Sequence, residues 1–370
     1  MLSLSEPILE EAEKDAVLDT MNSGWITMGD RVQQFENDFA QLHNHTDAVA
    51  VNSCTSGLHI ALVALGVGPG DEVLVPSLTF VATINVIKYV GAEPVFVDVV
   101  STHEPHICLI KAKAKITNKT KAVMIMHYGG YPCDVRLWRA FSDQNNLALI
   151  EDAAHAPACK GVGIEGDITV FSFFSNKNMT TSEGGMLLTN APKLSEKLRN
   201  LRSHGMTSVT LDRHKGHAYS YDVTDLGYNY RLDEIRAAIG IEQIKKLGSW
   251  NESRAKNAAL YKSLLRDNKV HIELPFDNID ETVGHLMPIL LPVTIEREQV
   301  MDKLRDQGIQ SSIHYPPAHK FTYYRSLYPN VSLPVTEEYC SRELSLPLHP
   351  RLSFDEINYI CEKLIEACEG

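Results

Sequence analysis

Short apolar, β-rich runs recur between Ala48 and about Thr189: AVAVN, EVLVP, PVFVDV, AVMIMH, LALIEDAA, TVFSFF and MLLTN. Between most of the earlier ones lie helix-length amphipathic segments, among them TSGLHIALVAL, TFVATINVIKYVG and DVRLWRAFSDQNN. Alternation of apolar strands with such helices predicts an α/β fold whose mainly parallel, seven-stranded sheet is covered on both faces. Ligands on such sheets sit beyond the carboxyl ends of the strands.

A helical pattern from about Leu232 through Leu265 then leads into a smaller α+β portion. That portion has its own strand, GHLMPILLPV, a helix, EREQVMDKLRDQG, and a closing helix, SFDEINYICEKLIEAC. The expected division is a large domain over 1–245 and a small one over 246–370, with the N-terminal helix available to pack on the latter. No low-complexity linker separates them, so packed rather than tethered halves are expected.

The leading segment MLSLSEPILEEAEKDAVLDTMNSG alternates apolar and acidic residues and lacks the basic start and apolar core of an export signal. Nowhere do eighteen uncharged apolar residues follow one another, so a cytoplasmic chain without a membrane span is expected. With 370 residues, 44% hydrophobic, the chain can bury a large core, and a net charge of -12 argues against nucleic acid or membrane surfaces as partners. The seven cysteines (54, 108, 133, 159, 340, 361 and 368) lack C-x-x-C spacing or a nearby histidine ladder. They read as reduced thiols, with no metal site.

Two glycine patterns need weighing. GVGIEG, Gly161 to Gly166, has the letters of a dinucleotide fingerprint but precedes a strand instead of opening a helix. GVGPGD, Gly66 to Asp71, reads as a helix C-cap and turn. Neither supports nicotinamide or P-loop chemistry.

Chemistry is concentrated elsewhere. LALIEDAAHAP ends an apolar strand on Glu151 and Asp152, with His155 following, and FSFFSNKNMTTSEGG places Lys177 just past another strand. A helix cap and a surface charge are the bland readings of Asp152 and Lys177. Together they also suit pyridoxal phosphate, whose aldehyde forms a Schiff base with lysine and whose ring nitrogen stays protonated beside a carboxylate. The cofactor's phosphate then needs an anion site. VNSCTSGLHIAL offers one, a strand end followed by a helix opening through Ser53, Cys54, Thr55 and Ser56, although a plain N-cap has the same letters. Phe80 in SLTF stands where a flat ring could be stacked, or belongs to the core.

Taken in order, SGWITMGDRVQQFE, VNSCTSGLHIAL, PSLTFVATINVI, IEDAAHA, FSFFSNKNMTTSEGG, LGYNYRLDEIRAAIG, IHYPPAH and LSLPLHP resemble the DegT/StrS-type nucleotide-sugar aminotransferases, closest in motif to the branch acting on 4-keto sugars. The resemblance covers nearly the whole chain and implies the aspartate-aminotransferase fold. It implies that Lys177 carries the cofactor and shuttles the proton, that Asp152 holds the ring nitrogen, and that Phe80 stacks on the ring. His155 would lie by the phenolic oxygen, with Ser53, Cys54, Thr55, Ser56 and Ser172 on the phosphate side. Asn229 would reach the cofactor phosphate of a neighbouring subunit, so a homodimer with shared sites is implied. Trp25, Thr27, Arg231, His314 and His319 are the expected substrate-side residues.

The implied reaction is a ping-pong transfer of an amino group, from L-glutamate by family likeness, to a UDP-, dTDP- or GDP-linked 4-keto sugar, passing through pyridoxamine phosphate. A 3-keto-sugar aminotransferase and a sugar dehydratase are the neighbouring alternatives; relatives of the latter kind replace the lysine with histidine, against which Lys177 argues. A non-catalytic binding relative would be expected to have lost Asp152, Lys177 or the phosphate loop. Within Ser203 to Tyr228, the stretch with Arg213, His214, Lys215 and His217 reads equally as a flap over the partner's site or as a solvated loop.

Overall fold

The computed structural model describes residues 1–207, 222–267 and 269–369. All seven apolar runs form strands: β1 (Ala48–Val51), β2 (Glu72–Pro76), β3 (Glu93–Val97), β4 (Thr120–Met126), β5 (Ala148–Asp152), β6 (Ile168–Ser172) and β7 (Gly185–Leu188). They join one sheet in the order β1-β7-β6-β5-β4-β2-β3. The β2–β3, β2–β4, β4–β5 and β5–β6 pairs are parallel, and only β7 runs antiparallel to its neighbours β1 and β6.

Side chains alternate along each strand, so the two faces gather different partners. Helices α1 (Glu11–Asn22) and α2 (Asp30–Leu42) come first in the chain; Val73, Val75, Ala122, Met124 and Ile150 pack with α3 (Cys54–Ala64) and α4 (Val81–Tyr89), while Leu74, Val123, Ile125 and Leu149 pack with Trp138 and Phe141 of a further helix, Val135–Asn145. Strand residues buried on both faces explain why these runs read as continuously apolar rather than alternating.

The same alternation separates two adjacent acids at the end of β5. Asp152 shares the face of Ile150, toward α3 and α4, whereas Glu151 points to the other side. There Glu151 accepts bonds from His127 Nε2 (2.9 Å), Gly163 N (3.0 Å) and Gly166 N (2.8 Å). His127 Nδ1 accepts from Cys133 N, which leaves its proton on Nε2. GVGIEG is therefore a loop whose N–H groups wrap a buried carboxylate, and a Cβ on Gly166 would stand 2.6 Å from Glu151 Oε1. GVGPGD follows α3, with Gly66 at positive φ just past the C-cap Leu65 and Gly70 at positive φ in the turn that leads into β2.

The helix Glu234–Leu265 runs past residue 245 without a break. Helix Glu11–Asn22 is tied to it by Gln243 and Lys246, both bonded to Glu13. Beyond it the pair β8 (Met287–Leu290) and β9 (Glu343–Leu346) is antiparallel and builds a separate core with helices Arg297–Asp306 and Phe354–Glu369. Ala318, Tyr324 and Leu333 instead pack back against the α3 and α4 face of the main sheet. All seven cysteines are free thiols. Among the described residues no helix is long and apolar enough to cross a membrane, and no cluster of His, Cys, Asp or Glu is arranged to hold a metal.

Candidate active site

Beyond the carboxyl ends of β1, β2, β4, β5 and β6 lies a cavity of about 340 Å³. Its wall includes Ser53, Cys54, Thr55, Phe80, Thr83, Asp152, His155, Ser172, Asn176, Lys177, His314 and Tyr315.

One end is the opening of α3. Ser53 caps it, its Oγ accepting from Ser56 N at 3.1 Å. Ser56 donates its own hydroxyl to Asn52 Oδ1 (2.6 Å) and accepts from Ser53 Oγ (2.8 Å), so it braces the turn from behind. Ser53, Cys54 and Thr55 line the cavity; Ser56 does not. The N–H groups of a first helical turn have no intrahelical acceptor and point outward, which suits an anion. Gly185 of β7 passes directly beneath. A Cβ there would lie 2.7 Å from Cys54 N and from the carbonyl carbon of Ser53, so only glycine lets strand and loop approach. Ser172, opposite Gly185 in the β6–β7 ladder, completes this end.

The middle holds the charged pair. Asp152 is buried, with Thr83 Oγ1 donating to Oδ2 (2.7 Å) and Ala154 N donating to Oδ1 (3.1 Å). Burial still raises its pKa above the usual carboxylate value, with Thr83 and Ala154 opposing the shift. Lys177 sits in the loop between β6 and β7, fixed by Lys177 N to Phe174 O (3.0 Å). Desolvation brings its amine from the ordinary 10.5 down to about 8, with Cys54 and Asp152 pulling the other way. Burial also holds His155 and His285 well below the ordinary imidazole value and His314 down at about 4. At neutral pH the lysine is therefore surrounded by uncharged imidazoles.

Phe80, half exposed, sits at the N-cap of α4 with its ring 5.8 Å from that of Tyr315. Tyr315 and Thr83 are wall residues that sequence reasoning did not single out. Thr83 stands three residues after Phe80, one helical turn on, and Tyr315 sits inside IHYPPAH beside His314, so both had a signal available.

Other expected residues stand outside this cavity. The ring of His319 is occupied, Nδ1 with Ser77 Oγ (2.7 Å) and Nε2 with Glu337 (3.1 Å). Trp25 lies against Gly29, and Thr27 is exposed on the same loop, which Glu234 anchors by accepting from the N–H groups of Gly29, Arg31 and Val32. Asn229 is exposed and Arg231 half-buried, flanking Tyr230, whose carbonyl receives Asn52 N at 2.9 Å. Arg213, His214, Lys215 and His217 lie outside the described residues.

The sequence matches the DegT/DnrJ/EryC1/StrS aminotransferase family over residues 7–365. The chain belongs to that family. This aminotransferase is similar to Helicobacter pylori PseC, an aminotransferase involved in the biosynthesis of pseudoaminic acid, with 28% identity and a TM-score of 0.92 over 100% of this chain and 99% of that one. It is similar to TlmJ from Streptoalloteichus hindustanus, an aminotransferase, at 31% identity and TM-score 0.90, covering 99% and 98%. The putative sugar aminotransferase Spr1654 of Streptococcus pneumoniae in its PMP form matches at 30% identity and TM-score 0.90, covering 100% and 99%. The fold is thus that of the aspartate-aminotransferase-like enzymes, and the cofactor is pyridoxal phosphate.

The residues present fit that cofactor. Lys177 offers a half-buried side chain whose amine desolvation keeps partly neutral, Asp152 a buried carboxylate that accepts from the uncharged donors Thr83 and Ala154, and the α3 opening a turn of hydroxyl and N–H groups at the far end.

Proposed function

We propose that this aminotransferase moves an amino group from an amino acid, L-glutamate, to the C4 keto group of a nucleotide-linked sugar by a ping-pong reaction. The observation that carries the reading is the placement of Lys177 and Asp152 in one cavity, the amine desolvated and the carboxylate buried. Pyridoxal phosphate, when bound, supplies the electron sink that lets an amino group leave one carbon and join another.

The residues of the chain then divide the work. Lys177 would hold the cofactor covalently and, as a free amine, would serve as general base, because its lowered pKa leaves a useful neutral fraction near pH 7. Asp152, oriented by Thr83 and Ala154, keeps its charge toward the ring nitrogen. Phe80, at the mouth, would cover a ring face. Ser53, Thr55 and Ser172 would hold the phosphate, with Cys54 contributing its N–H. His155 closes the opposite wall.

The substrate side is built across a homodimer in this reading. Asn229, Arg231, Trp25 and Thr27 stand outside the chain's own cavity on neighbouring segments, a position suited to completing a second copy's site. His314 faces the cavity directly and is the cis candidate for the nucleotide or sugar. The bonds His319 makes to Ser77 and Glu337 give it a bracing place in the same loop.

The test is to incubate protein loaded with pyridoxal phosphate with L-glutamate, follow the visible band, then add UDP-, dTDP- and GDP-4-keto sugars and identify products by mass spectrometry and NMR. A glutamate-dependent loss of the band followed by a 4-amino sugar is expected. Loss of the sugar oxygen without nitrogen gain, or amination at C3 alone, would replace the 4-amino assignment.

A further inference from the structure

The hydroxyl of Tyr315 lies 3.0 Å from Nε2 of His155, just past the end of β5. The direction of that bond can be deduced. His155 Nδ1 lies 3.1 Å from the backbone nitrogen of Gly129, which can only donate, so Nδ1 is an acceptor. A neutral imidazole that accepts at Nδ1 carries its hydrogen on Nε2, and burial keeps this imidazole neutral. Nε2–H therefore donates to the Tyr315 oxygen. Among the described residues none accepts the tyrosine's own hydrogen, and Tyr315 lines the cavity that also holds Lys177.

The ring is held firmly enough to use that hydrogen. The backbone of the preceding residue is clamped on both sides, His314 N donating to Glu343 Oε2 (2.7 Å) and Tyr128 donating its hydroxyl to His314 O. Phe80 flanks the ring at 5.8 Å between centroids. Burial, reinforced by Asp152 and Glu343, moves the Tyr315 phenol far above its ordinary value, so it stays a donor at every working pH.

We propose that Tyr315 donates this hydrogen to an electron-rich oxygen of the bound ligand, either the ring oxygen of the cofactor or an oxygen of the sugar. The proposal rests on the pyridoxal phosphate reading of the cavity, and its test separates the two. Tyr315→Phe removes the hydroxyl and keeps the ring. The variant is first loaded with pyridoxal phosphate and reduced with borohydride, and the label is located by peptide mass mapping; failure of wild-type protein to label Lys177 would count against the cofactor reading itself. The visible band of wild type and variant is then titrated with pH without substrate, and kcat and KM for the sugar are measured separately.

If the acceptor is the cofactor oxygen, the spectral midpoint of Tyr315→Phe moves upward by about one pH unit or more, since an oxygen deprived of a donor holds its shared proton more tightly. If the acceptor is a sugar oxygen, the midpoint stays and kcat/KM for the sugar falls about tenfold or more. A loaded variant with wild-type midpoint and wild-type kcat/KM overturns the proposal.

Discussion

Thr83 donates its hydroxyl to Oδ2 of Asp152 at 2.7 Å, and Thr79 stands 2.7 Å behind it, hydroxyl to hydroxyl. A helix turn of α4 thus orients a carboxylate that belongs to β5. A hydrogen bond to a charged acceptor contributes about 1.5–3 kcal/mol, so Thr83→Val should lower kcat about 10- to 100-fold with a smaller change in thermal stability. Asp152→Asn, which removes the charge itself, should cost more than Thr83→Val. Steady-state kinetics on both variants checks the order; a Thr83→Val enzyme as active as wild type would detach Thr83 from the site.

Lys177 should show its desolvation before any turnover. Capture of pyridoxal phosphate by cofactor-free protein requires the neutral amine. Burial disfavours the charged form and lowers the pKa from 10.5 to about 8, so the capture rate should rise about tenfold per pH unit below 8 and level above it. A solvent-exposed lysine would keep climbing toward 10.5. Stopped-flow absorbance from pH 6 to 10 decides between these profiles, and Lys177→Ala should fold, capture nothing and lose transfer activity.

Gly185 offers a test of the anion loop that leaves every polar group in place. Alanine there would set a methyl 2.7 Å from Cys54 N and from the carbonyl carbon of Ser53, both backbone atoms that cannot rotate away. The opening turn of α3 must shift, and overpacking of this kind costs about 1–3 kcal/mol. Gly185→Ala should weaken pyridoxal phosphate binding about tenfold or more by equilibrium dialysis. Gly248→Ala is the control: it sits in the long helix with open space around it and should be neutral or stabilising.

Much of this arrangement was legible in the chain. The seven apolar runs are the seven strands, because a doubly covered sheet writes itself as unbroken apolar letters. Asp152 and Lys177 were readable as partners since both follow strands of one sheet, whose ends share an edge. What the letters withheld depends on which side chains meet once the chain is folded. The choice between Glu151 and Asp152 rests on which face α4 covers. Ser56 looks like Ser53 until Asn52 claims its hydroxyl, and Tyr315 acquires its orientation only from Gly129 acting through His155. His319 reads as a ligand beside His314, yet Ser77, after β2, and Glu337 occupy both of its ring nitrogens.

Glu343 supplies a prediction about stability. Its carboxylate accepts from His314 N (2.7 Å) and Ser345 Oγ (2.6 Å) and is fully buried. The nearby Arg297 spends Nη1 on the carbonyls of Cys340 and Glu343, not on the carboxylate. Desolvation therefore wins and raises the folded pKa from 4.5 to about 8, against the two hydrogen bonds and Arg297. Between those two values the unfolded chain has released this proton while the folded chain retains it. Stability from this group is thus fully present below about 4.5 and is lost progressively as pH rises toward 8. Glu343→Gln cannot titrate, and its amide still offers an acceptor to His314 N. Urea unfolding at pH 5.5, 7 and 8.5 should show wild-type stability falling relative to Glu343→Gln across the series; parallel curves would mean that Glu343 is ionised in the fold throughout, and that the clamp beneath His314 and Tyr315 is held by a charge.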